Sequence, residues 1–195
     1  EVMRQPIEDH FVNISRANFS MEYPANFMLL AAMNPCPCGF YGDTYKPCTC
    51  SQSSITTYQK RISGPLLDRI DIHIQVPRVD YEKLSDNRFG ESSLSVRQRV
   101  ETARIIQRER FAGSKNENHQ IFSNSDMGNS EIRKYCKMDE SCNTLMRVAM
   151  NQYHLSARAY HRVLKLARTI ADMADMDKIT TTHLAEALQY RPQVI

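Results

Sequence analysis

The sequence predicts an α/β plus all-α chain: an incomplete α/β layer followed by a helical bundle. Three observations carry that prediction. Residues 26–34, NFMLLAAMN, form a continuous apolar run of strand length, as central strands of a parallel sheet do. Residues 69–77, RIDIHIQVP, alternate Ile70, Ile72, Ile74 and Val76 before a proline, and a helical segment separates the two runs. Beyond residue 93 the apolar spacing turns helical.

Taken in order, EVMRQPIED at the start reads as a helix already under way, and a chain opening on Glu1 is expected to be a piece of a longer protein. FVNISRANFSMEY (11–23) alternates apolar and polar residues on both sides of SRAN. That is a hairpin pattern, with Val12 and Ile14 on one arm and Phe19, Met21 and Tyr23 on the other. SSITTYQKRI (53–62) is a short helix with a serine cap, stopped by Ser63-Gly64-Pro65.

Polar, turn-rich residues around DNRFGESS suggest a linker. The expected division is an α/β part over 1–80, a linker over 81–93 and a helical domain over 94–195. In that domain SLSVRQRVETARIIQRERF (93–111) aligns Val96, Val100, Ala103 and Ile106 on one face. A polar loop (112–128) and the short helix SEIRKYC (130–136) come next. Residues 139–153 start at an Asp cap, 156–174 at a Ser cap, and 180–191 end before Pro192.

With 42% hydrophobic and 24% charged residues, the 195-residue chain has the composition of an ordinary folded protein. A net charge of +3 is too small to argue for a nucleic-acid partner by itself. No apolar run approaches the ~20 residues of a membrane span. No signal-peptide pattern is seen, so no membrane partner and a cytoplasmic location are the expectations.

Six cysteines without a secretion signal argue against a disulfide framework. Cys36, Cys38, Cys48 and Cys50 form two Cys-x-Cys pairs nine residues apart, with Gly39, Gly42 and Asp43 as turn formers between them. Four soft ligands suit one tetrahedral zinc in a closed, structural site. Free thiols or disulfides are the competing reading, because Cys-x-Cys is tighter than the usual Cys-x-x-Cys knuckle. Cys136 and Cys142 stand apart and are expected to pack between helices.

Three phrases, FMLLAAMNPCPCGFYGD, RISGPLLDRIDIHIQVP and LSARAYHRVLKLARTIADM, resemble the magnesium-chelatase-like ComM/YifB family of bacterial AAA+ ATPases, and the similarity runs along nearly the whole chain. The resemblance implies the C-terminal half of an AAA+ α/β core with a helical lid. It also implies ATP and Mg at the junctions of a homo-hexamer, and helicase-like action on DNA, such as branch migration in natural transformation. No Gly-x-x-x-x-Gly-Lys-Ser/Thr loop occurs here. In the family that loop and the Walker B strand lie upstream, so this piece is expected to be inactive alone.

The resemblance also assigns residues. Asn34, at the end of the apolar run, matches sensor 1, where an amide can orient the attacking water without adding charge; a cap on the turn at Pro35 is the plainer reading. Arg69 matches the arginine that reaches a neighbouring subunit's ATP; an ion pair with Asp68 or Asp71 competes. Arg158 matches the sensor 2 arginine at a helix start; a solvated arginine competes. The hairpin tip, with Ser15, Arg16 and Asn18, would meet DNA phosphates in a central pore, or be a simple polar turn. Two other functions remain: the ATPase subunit of a magnesium or cobalt chelatase, and a zinc-stabilised interaction module.

Overall fold

A computed structural model describes residues 2–79, 85, 90–114 and 120–191. Its internal contacts divide the chain into two units, one up to Ile70 and one from Asp71. Most of the expected linker, 81–93, lies outside the described residues, as does part of the polar loop at 112–128.

The first unit opens with α1 (Arg4–Asp9), which stops where His10 turns left-handed at φ 61°. The chain then doubles back as a hairpin of β1 (Phe11–Arg16) and β2 (Phe19–Pro24). Its register pairs Val12 with Tyr23, Ile14 with Met21 and Arg16 with Phe19, so the alternation in sequence puts those six side chains on one face. At the root, Ala25 N–H donates to the His10 carbonyl at 2.7 Å. At the other end, the Ser15 and Ser20 hydroxyls bond across the strands at 2.9 Å.

Among the described residues β1 and β2 form the whole sheet. The apolar runs at 26–34 and 69–77 therefore do not form strands here, although their patterns favour it. A strand is completed by a hydrogen-bonded neighbouring strand, and neither run pairs with one among the described residues. Their side chains show the same lack: Met28 is 92% exposed and Leu30 90%. In the second run the His73 amide donates instead to the Tyr190 carbonyl at 2.8 Å.

After the cysteines come α2 (Gln52–Gln59) and α3 (Gly64–Leu67). The Ser51 hydroxyl caps α2 by accepting from the Ser54 amide at 3.3 Å, and Pro65 stands in the first turn of α3. An Arg4 side-chain hydrogen bond to the Ser63 hydroxyl, 3.1 Å, ties α1 to the start of α3.

The second unit is helical: α4 (Ser93–Arg110), a 3₁₀ turn (Asn124–Asp126), α5 (Asn129–Tyr135), α6 (Glu140–Gln152), α7 (Ala157–Met173) and α8 (Thr181–Gln189). The caps expected at Asp139 and Ser156 form, and Ser92 adds a third. Ser92, Asp139 and Ser156 accept from the amides of Ser95, Cys142 and Ala159. Helix α7 is central, contacting α4, α5, α8 and the 3₁₀ turn. It buries Ala159, Val163, Ala167 and Ala171, a four-residue spacing that keeps small side chains on one stripe and lets its neighbours approach closely. Cys136 and Cys142 are buried in the same core, as expected, and burial pushes the Cys136 thiol up to about 11. On α4, Ala103 is buried while Val96 stays exposed, so the core-facing stripe is narrower than its sequence period suggests.

A polar group also lies within this core. Asp172 is fully withdrawn from water and accepts from Arg110 at 2.7 Å, from Arg168 Nε at 3.0 Å and from Asn124 Nδ2 at 2.8 Å. Arg168 also donates to the Asp177 carbonyl at 2.6 Å. One carboxylate is shared by two guanidinium groups, backbone oxygen at Asp177 helps to solvate the remaining positive charge, and the cluster joins α4, α7 and the 3₁₀ turn.

Candidate functional site

The apolar run delivers Asn34 to the start of the cysteine loop, and a pair of tight turns shapes the chain beyond it. Gly39 adopts φ 82° and its N–H closes a turn on the Cys36 carbonyl at 3.0 Å; a side chain would strain that left-handed position. A second turn joins Asp43 N–H to the Phe40 carbonyl at 3.1 Å. Asp43 Oδ1 then accepts from the Tyr45 and Lys46 amides at 2.7 and 3.0 Å, bending the chain back. The Lys46 ammonium lies 4.2 Å from the Phe40 ring centre, bracing the loop from outside.

These turns bring the four thiols together. Cys36 Sγ is 3.3 Å from Cys38 Sγ and 3.6 Å from Cys48 Sγ; Cys38 and Cys48 are 3.5 Å apart. All four sulfurs, Cys50 included, lie within 4.8 Å of one another, and none is in a disulfide. A tetrahedron of sulfurs ~2.3 Å from zinc has edges of about 3.8 Å, so the donor set fits such an ion. The thiols themselves are polarised unequally. The Phe40 and Thr49 amides hold Cys38 down to about 5. The Cys50 amide acts to lower Cys48, but withdrawal from water and the Cys38 and Cys36 sulfurs outweigh it and push that thiol up to about 12.

Asn34 is exposed, and its amide lies over Gly39: a Cβ there would sit 3.9 Å from Asn34 Nδ2. Gln59 of α2 donates to the Pro35 carbonyl at 3.2 Å. Arg69, just beyond α3, is engaged by Glu8 rather than by Asp68 or Asp71: its Nε bonds Glu8 Oε2 at 2.7 Å, and Nη1 donates to the Pro65 carbonyl at 2.6 Å. Arg158 stands in the first turn of α7, in the second unit, with Ser156 as the cap before it. Ser15, Arg16 and Asn18 are all exposed at the hairpin end.

Sequence reasoning missed Glu8, Gln59 and the amide contact at Gly39. Glu8 and Arg69 are 61 residues apart and Gln59 and Pro35 are 24 apart, so no local pattern links them. The φ-permissive glycine after a Cys-x-Cys was the available signal for the third.

Comparison with known proteins decides the family. The family model described as magnesium chelatase, subunit ChlI, matches residues 1–84, and the one for the ChlI C-terminal region matches residues 90–191. The chain belongs to the magnesium-chelatase ChlI family. Within it, the competence protein ComM of Haemophilus influenzae is 42% identical over 195 residues, covering 100% of this chain and 36% of ComM. YifB of Escherichia coli is 39% identical over 192 residues, 98% of this chain and 36% of YifB. A Mycobacterium tuberculosis protein is 31% identical over 191 residues, with 98% and 36% coverage. The chain thus spans about a third of the length of these relatives, in their C-terminal part. ChlI-like proteins are generally AAA+ ATPases. No helix among the described residues is long and apolar enough to cross a membrane.

Proposed function

We propose that the chain is the C-terminal part of an ATP-dependent AAA+ motor that works on DNA as a homo-hexamer. The observation that carries this reading is similarity along its whole length to a competence protein, ComM. Phosphate-binding elements would come from the remaining length of such a protein. ATP with Mg supplies the phosphoryl group to be transferred to water. This chain's residues would set its surroundings: the Asn34 amide orients the water, Arg69 neutralises charge on a neighbour's γ-phosphate, and Arg158 couples nucleotide state to the helical unit. Arg69 would have to exchange Glu8 for phosphate, a swap a guanidinium makes without changing charge. Ser15, Arg16 and Asn18 would follow the DNA backbone.

The four-cysteine loop would hold a structural zinc through Cys36, Cys38, Cys48 and Cys50, with no open position for catalysis. The family description also names chelatase, and a chelatase ATPase subunit is the second reading. The cysteine loop within AAMNPCPCG, placed beside Asn34, favours the ComM-like branch.

The test uses full-length protein. DNA affinity should fall steeply with salt, and Arg16→Ala should weaken binding across all sequences and lower the salt slope by about one. Absent or salt-insensitive DNA binding by the assembled protein would leave the chelatase reading standing.

A further inference from the structure

The cysteine loop begins and ends beside the same short piece of chain. Asn34 precedes Cys36 by two residues, and Cys36 is fully buried. The turn from Cys36 to Gly39 brings the Gly39 backbone under the Asn34 amide. At the far end, Cys50 is followed at once by the Ser51 cap of α2, and the last residue of α2, Gln59, reaches back to the Pro35 carbonyl. The Pro35 carbonyl, next to Asn34, is therefore held by Gln59, while Gly39 leaves room beside the Asn34 amide, and both depend on how the loop closes. Little apolar packing supports it. Among the described residues, the buried apolar side chains of the first unit are Pro6, Cys36 and Ile55.

We infer that metal ligation by Cys36, Cys38, Cys48 and Cys50 is what positions the Asn34 amide, with Gln59 as the positioning residue. The inference rests on the zinc and Asn34 assignments proposed above and adds a role for the metal: it sets catalytic geometry as well as local stability. With the ion bound, four sulfurs converge on one point and the two ends of the loop have one separation. Without it, the loop's small set of contacts must compete with solvent, and a site with so little apolar cover depends on its ion for order. Gln59 then loses its fixed relation to residues 34 and 35.

The experiment takes full-length protein, purified under reducing conditions, through zinc removal by chelation and zinc return. Elemental zinc, hydrogen exchange over residues 33–40, and kcat and KM for ATP are measured in parallel. The expected result is about one zinc per chain, faster exchange over 33–40 on its removal, and a kcat loss of about tenfold or more with KM little changed. Zinc should reverse both changes. Gln59→Ala should keep its zinc yet show faster exchange at 33–40 and a lower kcat. A protein that holds and loses zinc with exchange and kcat unmoved overturns the inference and leaves the zinc site intact. A protein that takes up no zinc overturns the site, and the inference with it.

Discussion

The helices from Ser93 onward close around their own side chains; the first unit does not. Around α7, Val163, Leu164, Ala167, Ala171 and Leu184 are all at 2% exposure or less. The first unit instead leaves Ile14, Phe19, Met21, Met28 and Leu30 in solvent. Both units draw on comparable apolar residues, so composition does not separate them. Topology does. A helix satisfies its own backbone and needs only a neighbour for its stripe, whereas a strand needs partners for every peptide. The first unit has a hairpin that completes itself and one apolar run, 26–34, that pairs with no strand among the described residues, with four thiols where a core would be.

Four experiments can break or sharpen this contrast. The largest effect is expected from metal removal: in limited proteolysis, a chelator should expose cleavage within residues 34–52 while α4 to α8 stay resistant. Equal loss of both units would show that the helical unit leans on the loop. Next, Asp172→Ala should destabilise the helical unit by about 3–5 kcal/mol in denaturant unfolding, because Arg168 would remain buried without its carboxylate. Leu184→Ala should cost ~2–5 kcal/mol in the same assay, whereas Leu30→Ala should stay within about 0.5 kcal/mol. A large loss from Leu30 would mean that the first apolar run is covered after all.

The smallest expected effect is with pH. The Cys142 amide holds the Asp139 carboxyl below its ordinary range, and the Ser130 hydroxyl does the same for Glu131. Their contribution is complete above a pH of about 5, clear of the unfolded values, and is lost as pH falls through the lowered folded values. Asp139→Asn, which keeps the cap, should flatten that acid limb; an unchanged slope would assign it to other groups.

The contrast also sorts what could be read in advance. The helices were legible because caps and stripes are local: Asp139 and Ser156 each announce a start within three residues, whereas the Ser92 cap was not singled out. The hairpin was legible from its alternation about SRAN, and the cysteine cluster from spacing. The strands expected at 26–34 and 69–77 are not formed among the described residues, because a pattern does not supply the paired neighbour a strand needs. Asp172 was opaque for another reason: an acidic residue on an apolar stripe looks like an error until Arg110, 62 residues away, is found beside it. Arg69 drew attention to its flanking aspartates, while its partner came from α1.

The hairpin's stapled root has a mechanical meaning. With Ala25 bonded to His10 and six residue pairs zipped above it, the ribbon is a stiff lever whose fulcrum lies nine residues before Asn34. A load applied at Arg16 would be borne first by those cross-strand bonds, and only beyond Ala25 would it meet the unpaired chain that leads to Asn34.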